Sequence, residues 1–288
     1  MTPLRRQMIE EMQLRGYAES TIDGYVHSVA QLARHGRSPD QLGEEEVRRY
    51  LLHLANEKQV ARGTFSVVLG GIRFFYHHTL EREWRSLDVA KPRYEKTLPI
   101  VLSREEVWRI LDAVRIQVYR ACLTTIYSCG LRLMEGCGLQ IPDVDTAGGV
   151  LRIRGKGRRH RDVPLPGATL QLLRDDWRTH RSPTWLFPAV TRHGTQHSVE
   201  HACGHVTRDS VQSALRRAVK ASGVHKRAHV HTLRHSYATH LLEDGVSLLL
   251  IQEILGHSSP RTTAVNTHLT REIREAARHR VERLMQRR

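Results

Sequence analysis

An aperiodic stretch with two prolines divides the chain and limits what it can fold into. Residues 88–99, Asp-Val-Ala-Lys-Pro-Arg-Tyr-Glu-Lys-Thr-Leu-Pro, show no helical or alternating repeat, and each proline disfavours a helix at the residue before it. The chain of 288 residues is long enough to bury two separate cores. We therefore predict a first domain at residues 1–88, a linker at 89–102 and a second domain at 103–288.

The part before the linker carries apolar residues at helical spacing, with no strand alternation between them. This pattern predicts a small, purely helical domain. The positions that define its helices are Met8 and Met12; Ile22, Tyr25, Val29 and Leu32; Val47, Tyr50, Leu51 and Leu54; and Phe65, Val68, Leu69, Ile72, Phe75 and Tyr76.

The part after the linker is predicted to be mainly α-helical with a small β-hairpin. Ser103-Arg-Glu-Glu106 has the pattern of a capping box, which opens a helix. Residues typical of strands at 150–154 and 161–165 flank Gly155-Lys-Gly157, so Lys156 is expected at a hairpin turn. Further helices are predicted at Ala168–Arg178, Asp209–Ala221, His231–Glu243, Leu248–Leu255 and Arg271–Met285, with a short one over Thr263–Leu269.

The chain is strongly basic, with 45 lysines and arginines against 30 aspartates and glutamates. An acidic polymer is the expected partner. Nucleic acid is favoured over a membrane, because no apolar run approaches the ~18 residues of a spanning helix and the N-terminus has no signal-peptide pattern. No cysteine lies in a Cys-x-x-Cys pair, which favours a cytoplasmic protein with reduced thiols at Cys122, Cys129, Cys137 and Cys203.

Short segments of the second domain place cationic residues where no amphipathic pattern requires them. Arg132 follows a glycine at a predicted helix boundary, from which a guanidinium can face a phosphate. His231 and Arg234 share one helical face near an N-terminus, whose dipole favours an anion. His257 follows a glycine that ends the preceding helix. Taken singly, each of these residues is also compatible with a solvated surface or a helix end.

As an ordered set, these segments resemble the tyrosine recombinases, or phage-type integrases, and among them the chromosome-dimer-resolving, integron and transposon-associated enzymes. The resemblance is carried by Gly-Leu-Arg132, the hairpin Lys156, His231-x-x-Arg234, Leu-Gly-His257 and the segment Thr262-Thr-Ala-Val-Asn-Thr-His-Leu269. It covers nearly the whole chain. It implies a helical, SAM-like core-binding domain followed by a catalytic domain.

The resemblance also implies a reaction. In that family a tyrosine hydroxyl attacks a DNA phosphate, forming a 3′-phosphotyrosyl link and freeing a 5′-hydroxyl, without ATP, metal or another cofactor. By position, Arg132 and Arg234 are expected to stabilise the charge of the transition state, and Lys156 to protonate the leaving oxygen. His231 is expected to help deprotonate the nucleophile, and His257 to hydrogen-bond the phosphate.

Asn266 stands where the family has its nucleophilic tyrosine, and an amide does not attack phosphate. Tyr237, the last tyrosine of the chain, occupies a packing position within the His231 helix and is not expected to take over. We therefore expect a chain that binds DNA without cleaving it. An engineered substitution and a natural loss are both open, and the otherwise complete site favours the first.

Supporting contacts and assembly follow from the same resemblance. Glu135 matches an acidic position beside the first arginine. The C-terminal apolar stripe of Ile273, Ala277, Val281 and Leu284 either docks on its own core or, as in the family, on a neighbouring protomer. Four protomers are then expected around two double-stranded DNA sites. The residues expected to hold DNA phosphates are Arg158, Arg159 and Arg161.

Three other interpretations compete with this one. A recombinase-fold accessory or regulatory DNA-binding protein would also lack the nucleophile. An unrelated RNA- or phosphate-binding helical protein would require the ordered motifs to be coincidental. A zinc site is suggested by spacing alone, but glycines interrupt the candidate helix and we expect no metal at His193, His197, His201, Cys203 and His205.

Overall fold

The computed structural model describes residues 2–84, 87, 99–154, 160–189 and 204–256. The chain divides into two compact units, residues 1–96 and 97–288, each with an apolar core of its own. The predicted helices beyond Gly256 lie outside the described residues, as do five of the predicted site residues: Lys156, Arg158, Arg159, His257 and Asn266.

The first unit is helical, as its apolar spacing predicts. Thr2 caps the first helix and Pro3 occupies its first turn, where the missing N–H costs nothing. Gly71 lets two helices pack closely, since a Cβ there would lie 2.9 Å from the Tyr25 Cα. The helices are α1 (Pro3–Leu14), α2 (Glu19–Arg34), α3 (Glu44–Leu52) and α4 (Arg62–Phe74), with π-helical turns at His53–Glu57 and Phe75–Thr79 and a 3₁₀ turn at Pro39–Gln41.

The second unit is mainly helical, and the predicted capping box that opens it is confirmed. The Ser103 Oγ accepts the Glu106 N–H at 3.2 Å, and the Glu106 carboxylate accepts the Ser103 N–H at 2.7 Å. The helices of this unit are α5 (Arg104–Asp112), α6 (Gln117–Ser128), α7 (Leu133–Cys137), α8 (Gly167–His180), α9 (Arg208–Ala221), α10 (Val230–Glu243) and α11 (Leu248–Leu255).

A small antiparallel sheet lies against these helices, and the predicted hairpin forms two of its strands. They are β2 (Val150–Arg154) and β3 (His160–Pro164), in a register that pairs Ile153 with Arg161 and Leu151 with Val163. A short strand, β1 (Val144–Asp145), pairs with the other edge of β2 and was not predicted. Two residues are too few to show the alternation by which a strand is recognised.

Apolar packing explains why α6 is the central helix of the second unit. It is buried at nine of its positions and contacts α7, α8 and α10. The three cysteines among the described residues are buried free thiols. In the part of the chain that the structure describes, no helix has the length and apolar character required to span a membrane.

Candidate functional site

Arg132 and Glu135 form the exposed edge of the candidate site. The chain leaves α6 through Gly130, whose φ of 60° is accessible to glycine at little cost, and this turn places Arg132 at the N-terminus of α7. The Glu135 carboxylate accepts the Arg132 backbone N–H and its Nη1, each at 2.8 Å. The other amino group, Nη2, donates to the Gly256 carbonyl at 3.2 Å. The Arg132 side chain remains 44% exposed, so it is available to an anion from solvent.

Arg161, on hairpin strand β3, also binds the Glu135 carboxylate. Its Nη1 and Nη2 donate to the two oxygens of Glu135 at 3.0 and 2.8 Å, and its Nε donates to the Ile254 carbonyl at 2.9 Å. Burial raises the pKa of Glu135, but the hydrogen bonds from Arg161 and Arg132 outweigh it and bring the pKa to about 2. Glu135 is therefore an anion at any physiological pH.

Arg234 is the buried cation of the cluster, with 1% of its surface exposed. Its Nη1 donates to the Gly130 carbonyl at 2.7 Å and its Nη2 to the Leu255 carbonyl at 2.6 Å, while Nη1 lies 3.7 Å from Glu135. Burial and the nearby Arg132 lower its pKa to about 9, which leaves the guanidinium charged at neutral pH. Three arginines thus surround one carboxylate, and the excess positive charge suits a phosphate.

His231 lies one turn before Arg234, in the first turn of α10. Its side chain is on the surface of the protein, and its ring packs edge-on against His235 with 4.4 Å between centroids. Partial burial, together with Arg234 and Arg132, lowers the pKa of His231 below 6.5. The lowered pKa favours the neutral imidazole, which is the state required to accept a proton.

Tyr237 has the packing position that its sequence context predicts. The site of a Cβ on Gly130 would lie 2.6 Å from the Tyr237 ring, and the ring packs edge-on against Tyr127. Burial raises the pKa of Tyr237 well above its ordinary value of 10.0. A half-buried phenol packed in this way is a poor candidate for a substitute nucleophile.

The structure brings together the predicted residues Arg132, His231 and Arg234, with Glu135 between the arginines. It also reveals contacts that the sequence interpretation missed, namely the Arg161 to Glu135 pairing and the carbonyl acceptors of Gly130, Leu255 and Gly256. One available signal was overlooked. Arg161 precedes the buried Val163 by two positions on a strand, so the two side chains share the inward face.

The suggested zinc spacing falls mostly outside the described residues. His205, which is described, contacts the Val206 carbonyl through Nδ1 at 2.8 Å and packs against Trp185. Among the residues that the structure describes, no group of three or more His, Cys, Asp or Glu is arranged to hold a metal ion.

Comparisons with known proteins identify the family of this chain. The sequence pattern of the phage integrase family matches residues 101–272, and that of the phage integrase N-terminal SAM-like domain matches residues 4–86. A putative integrase/recombinase of Sinorhizobium fredii is 41% identical over 92% of this chain and 83% of its own length. Tyrosine recombinase XerC of Halalkalibacterium halodurans is 34% identical over 78% of this chain and 77% of its own.

Solved structures share the fold at lower sequence identity. A λ integrase tetramer bound to a Holliday junction gives a TM-score of 0.73 at 16% identity, over 92% of this chain and 76% of that one. The crystal structure of XerA recombinase gives 0.55 at 24% identity, over the full length of both chains. With both domain patterns matched and a 41% identical relative, this chain belongs to the phage integrase family of tyrosine recombinases, whose members carry out site-specific DNA recombination.

Proposed function

We propose that this chain binds double-stranded DNA at specific recombination sites and holds one phosphate in its arginine cluster without cleaving the strand. DNA binding is supported by the convergence of Arg132, Arg161 and Arg234 on the single carboxylate of Glu135. His231, whose lowered pKa favours the neutral form, lies beside them. The excess of cations over anions there matches the charge of a phosphodiester.

Inability to cleave rests on Asn266. It lies in the part of the sequence that matches the family, within Thr262-Thr-Ala-Val-Asn-Thr-His-Leu269, at the position where the resemblance expects the nucleophile. A carboxamide has no ionisable oxygen with which to attack phosphorus, and loss of one nucleophile commonly abolishes the covalent step. Lys156 as general acid, His257 as phosphate ligand, and Arg158 and Arg159 as DNA contacts belong to the same proposal.

Assembly and location are part of this proposal as well. The solved λ integrase is a tetramer bound to a Holliday junction, and the XerH and Tn1549 integrase structures of the same fold are complexes with DNA. We expect this chain to form a homotetramer on two DNA sites in the cytoplasm. The domain division proposed is a core-binding domain at residues 1–88, a linker at 89–102 and a catalytic domain at 103–288.

Covalent trapping tests the proposal. A duplex selected from a random library by its binding to this chain is nicked next to the protected centre, so that a cleaved strand diffuses away and the adduct persists. The chain, its Asn266→Tyr variant and a matched Asn266→Phe variant are incubated with this DNA and run on a denaturing gel. We expect a protease-sensitive adduct with Asn266→Tyr alone, since phenylalanine restores the ring without the hydroxyl.

Each other result has a defined meaning. An adduct with the unsubstituted chain would contradict the loss of cleavage. Binding without any adduct, including with Asn266→Tyr, favours the second candidate, a recombinase-fold accessory or regulatory DNA-binding protein, for which Asn266 is the supporting observation. Failure to select any duplex would contradict DNA binding itself.

A further inference from the structure

Arg161 faces the interior of the site. It lies on the same side of β3 as the buried Val163, and its side chain is only 12% exposed, against 44% for Arg132. All three guanidinium nitrogens donate to protein acceptors. Nη1 and Nη2 donate to Glu135, and Nε donates to the Ile254 carbonyl. A residue held in this way has little surface left for a DNA phosphate.

The same side chain binds Glu135 and lies beside Gly256, the two residues that orient Arg132. Arg132 donates to the Glu135 carboxylate and to the Gly256 carbonyl. Arg161 binds the Glu135 carboxylate directly, and it lies beside Gly256, since a Cβ on Gly256 would lie 2.9 Å from the Arg161 Cδ and 3.1 Å from its Nε. Gly256 has φ of +62° at the end of α11, so its carbonyl direction depends on that turn.

A bidentate guanidinium fixes a carboxylate more tightly than a single contact does. Two parallel N–H···O bonds define the plane of the Glu135 carboxylate as well as its position. The oriented carboxylate in turn accepts hydrogen bonds from the Arg132 backbone N–H and side chain, and so fixes the position of Arg132. The hairpin, α7 and the end of α11 are thereby joined at one side chain.

We propose that Arg161 is a positioning residue, which acts on the bound phosphate through Glu135 and Arg132 and makes no DNA contact of its own. The role assigned to Arg161 replaces the direct phosphate contact expected from the sequence. The positioning role rests on the proposed function, because Arg132, the guanidinium that Arg161 positions, is proposed to bind the DNA phosphate.

Affinity for the selected duplex tests the positioning role of Arg161. Lysine keeps the charge but cannot span both carboxylate oxygens, so Arg161→Lys is expected to lose affinity by about threefold to tenfold, the range of one to two hydrogen bonds. The matched control is Arg154→Lys, on the neighbouring strand, where an exposed guanidinium pairs with Asp143. An Arg161→Lys variant that binds DNA like that control would overturn the positioning role. Because lysine would also weaken a direct bidentate contact with a phosphate, the cycle with Arg132 separates the two roles.

A double-mutant cycle tests the route through Arg132. If Arg161 acts by positioning Arg132, the Arg161→Lys change should cost little further affinity in the Arg132→Ala background. Two independent phosphate contacts would instead give multiplied losses, which would overturn the proposal. Glu135→Gln tests the direction of the change in DNA affinity. Removal of a negative charge near DNA would by electrostatics alone increase the affinity, whereas loss of Arg132 positioning would decrease it.

A measurement without DNA keeps the inference separate from the proposed function. The Arg132 backbone N–H donates to Glu135, so its hydrogen exchange reports the position of that carboxylate. We expect faster exchange in a peptide covering residues 129–137 for Arg161→Lys and unchanged exchange for Arg154→Lys, with equal thermal stability as the check on folding. Unchanged exchange in Arg161→Lys would contradict the positioning role even if the chain bound no DNA.

Discussion

At the scale of single residues, Glu135 is the carboxylate on which the arginines of the site converge. Its side chain is 10% exposed, and it accepts hydrogen bonds from Arg132 and Arg161 while lying 3.7 Å from Arg234. Removal of one partner from a buried ionic group leaves the remaining charges uncompensated, which is strongly destabilising. The stability of the folded protein should therefore depend on Glu135.

The pKa of about 2 for Glu135, against an ordinary value of 4.5, has a direct consequence for stability. The carboxyl is more acidic in the folded state, so its stabilisation is present above pH 4.5 and is lost as the pH falls from 4.5 towards 2. At about 1.4 kcal/mol per pKa unit, Glu135→Gln should lower the free energy of unfolding by about 3 kcal/mol at pH 7.

Urea unfolding at a series of pH values checks this prediction. The difference between the parent and Glu135→Gln should shrink as the pH is lowered through the window below 4.5. Asp175→Asn serves as the control, because that carboxylate forms an exposed pair with Arg178 and should contribute at most about 1 kcal/mol. A difference that stays constant from neutral to acid pH would show that Glu135 is not stabilised as an anion.

At the scale of secondary-structure elements, the contact between α6 and α7 sets where the site begins. Gly136 of α7 is buried, and a Cβ there would lie 2.5 Å from Cγ1 of Ile126 and 2.9 Å from its Cδ1. Arg132 and Glu135 are carried by the same short helix. The approach of α7 to α6 at Gly136 therefore determines how closely the arginine cluster sits against the core.

A size exchange tests this packing. Gly136→Ala should destabilise the protein by about 1–3 kcal/mol through overpacking. Ile126→Ala alone should cost about 2–5 kcal/mol by leaving a cavity. In the double variant the added methyl occupies part of that cavity, so the combined loss should fall below the sum by at least about 0.5 kcal/mol.

The control for the size exchange is Gly167→Ala, at the start of α8, where an added Cβ meets nothing within 4 Å. This variant should leave the free energy of unfolding nearly unchanged. Thermal or urea unfolding of all four variants provides the comparison. Strict additivity of Gly136→Ala and Ile126→Ala would show that the two side chains do not share the space that the structure assigns them.

At the scale of the whole molecule, the chain comprises two units with separate apolar cores. Separate cores allow separate folding, since each unit satisfies its own apolar burial. We expect fragments 1–96 and 97–288 each to unfold cooperatively on heating, with helical far-ultraviolet circular dichroism. A fragment that remains unfolded in isolation, while the full chain is folded, would contradict this independence.

Local signals account for much of what the sequence predicts correctly. Helical spacing, the Ser103 capping box, the paired strands β2 and β3 and the Gly256 helix end all depend on residues close together in the sequence, and the mainly helical fold with a small sheet is confirmed. The ordered motifs also identified the family correctly. The substitution at Asn266 is a fact of the sequence, and its effect on cleavage stays a prediction.

The sequence by itself determined the described helices and the two hairpin strands, because spacing and chain order encode them, while the arginines and histidines that serve a phosphate stay a prediction. Tertiary structure decided which groups those side chains hold. Arg161 reaches Glu135 across 26 positions, Arg234 reaches the Gly130 carbonyl across 104, and Arg132 reaches the Gly256 carbonyl across 124. No local propensity reports partners so far apart in the chain, since packing of separate elements alone brings them within hydrogen-bonding distance.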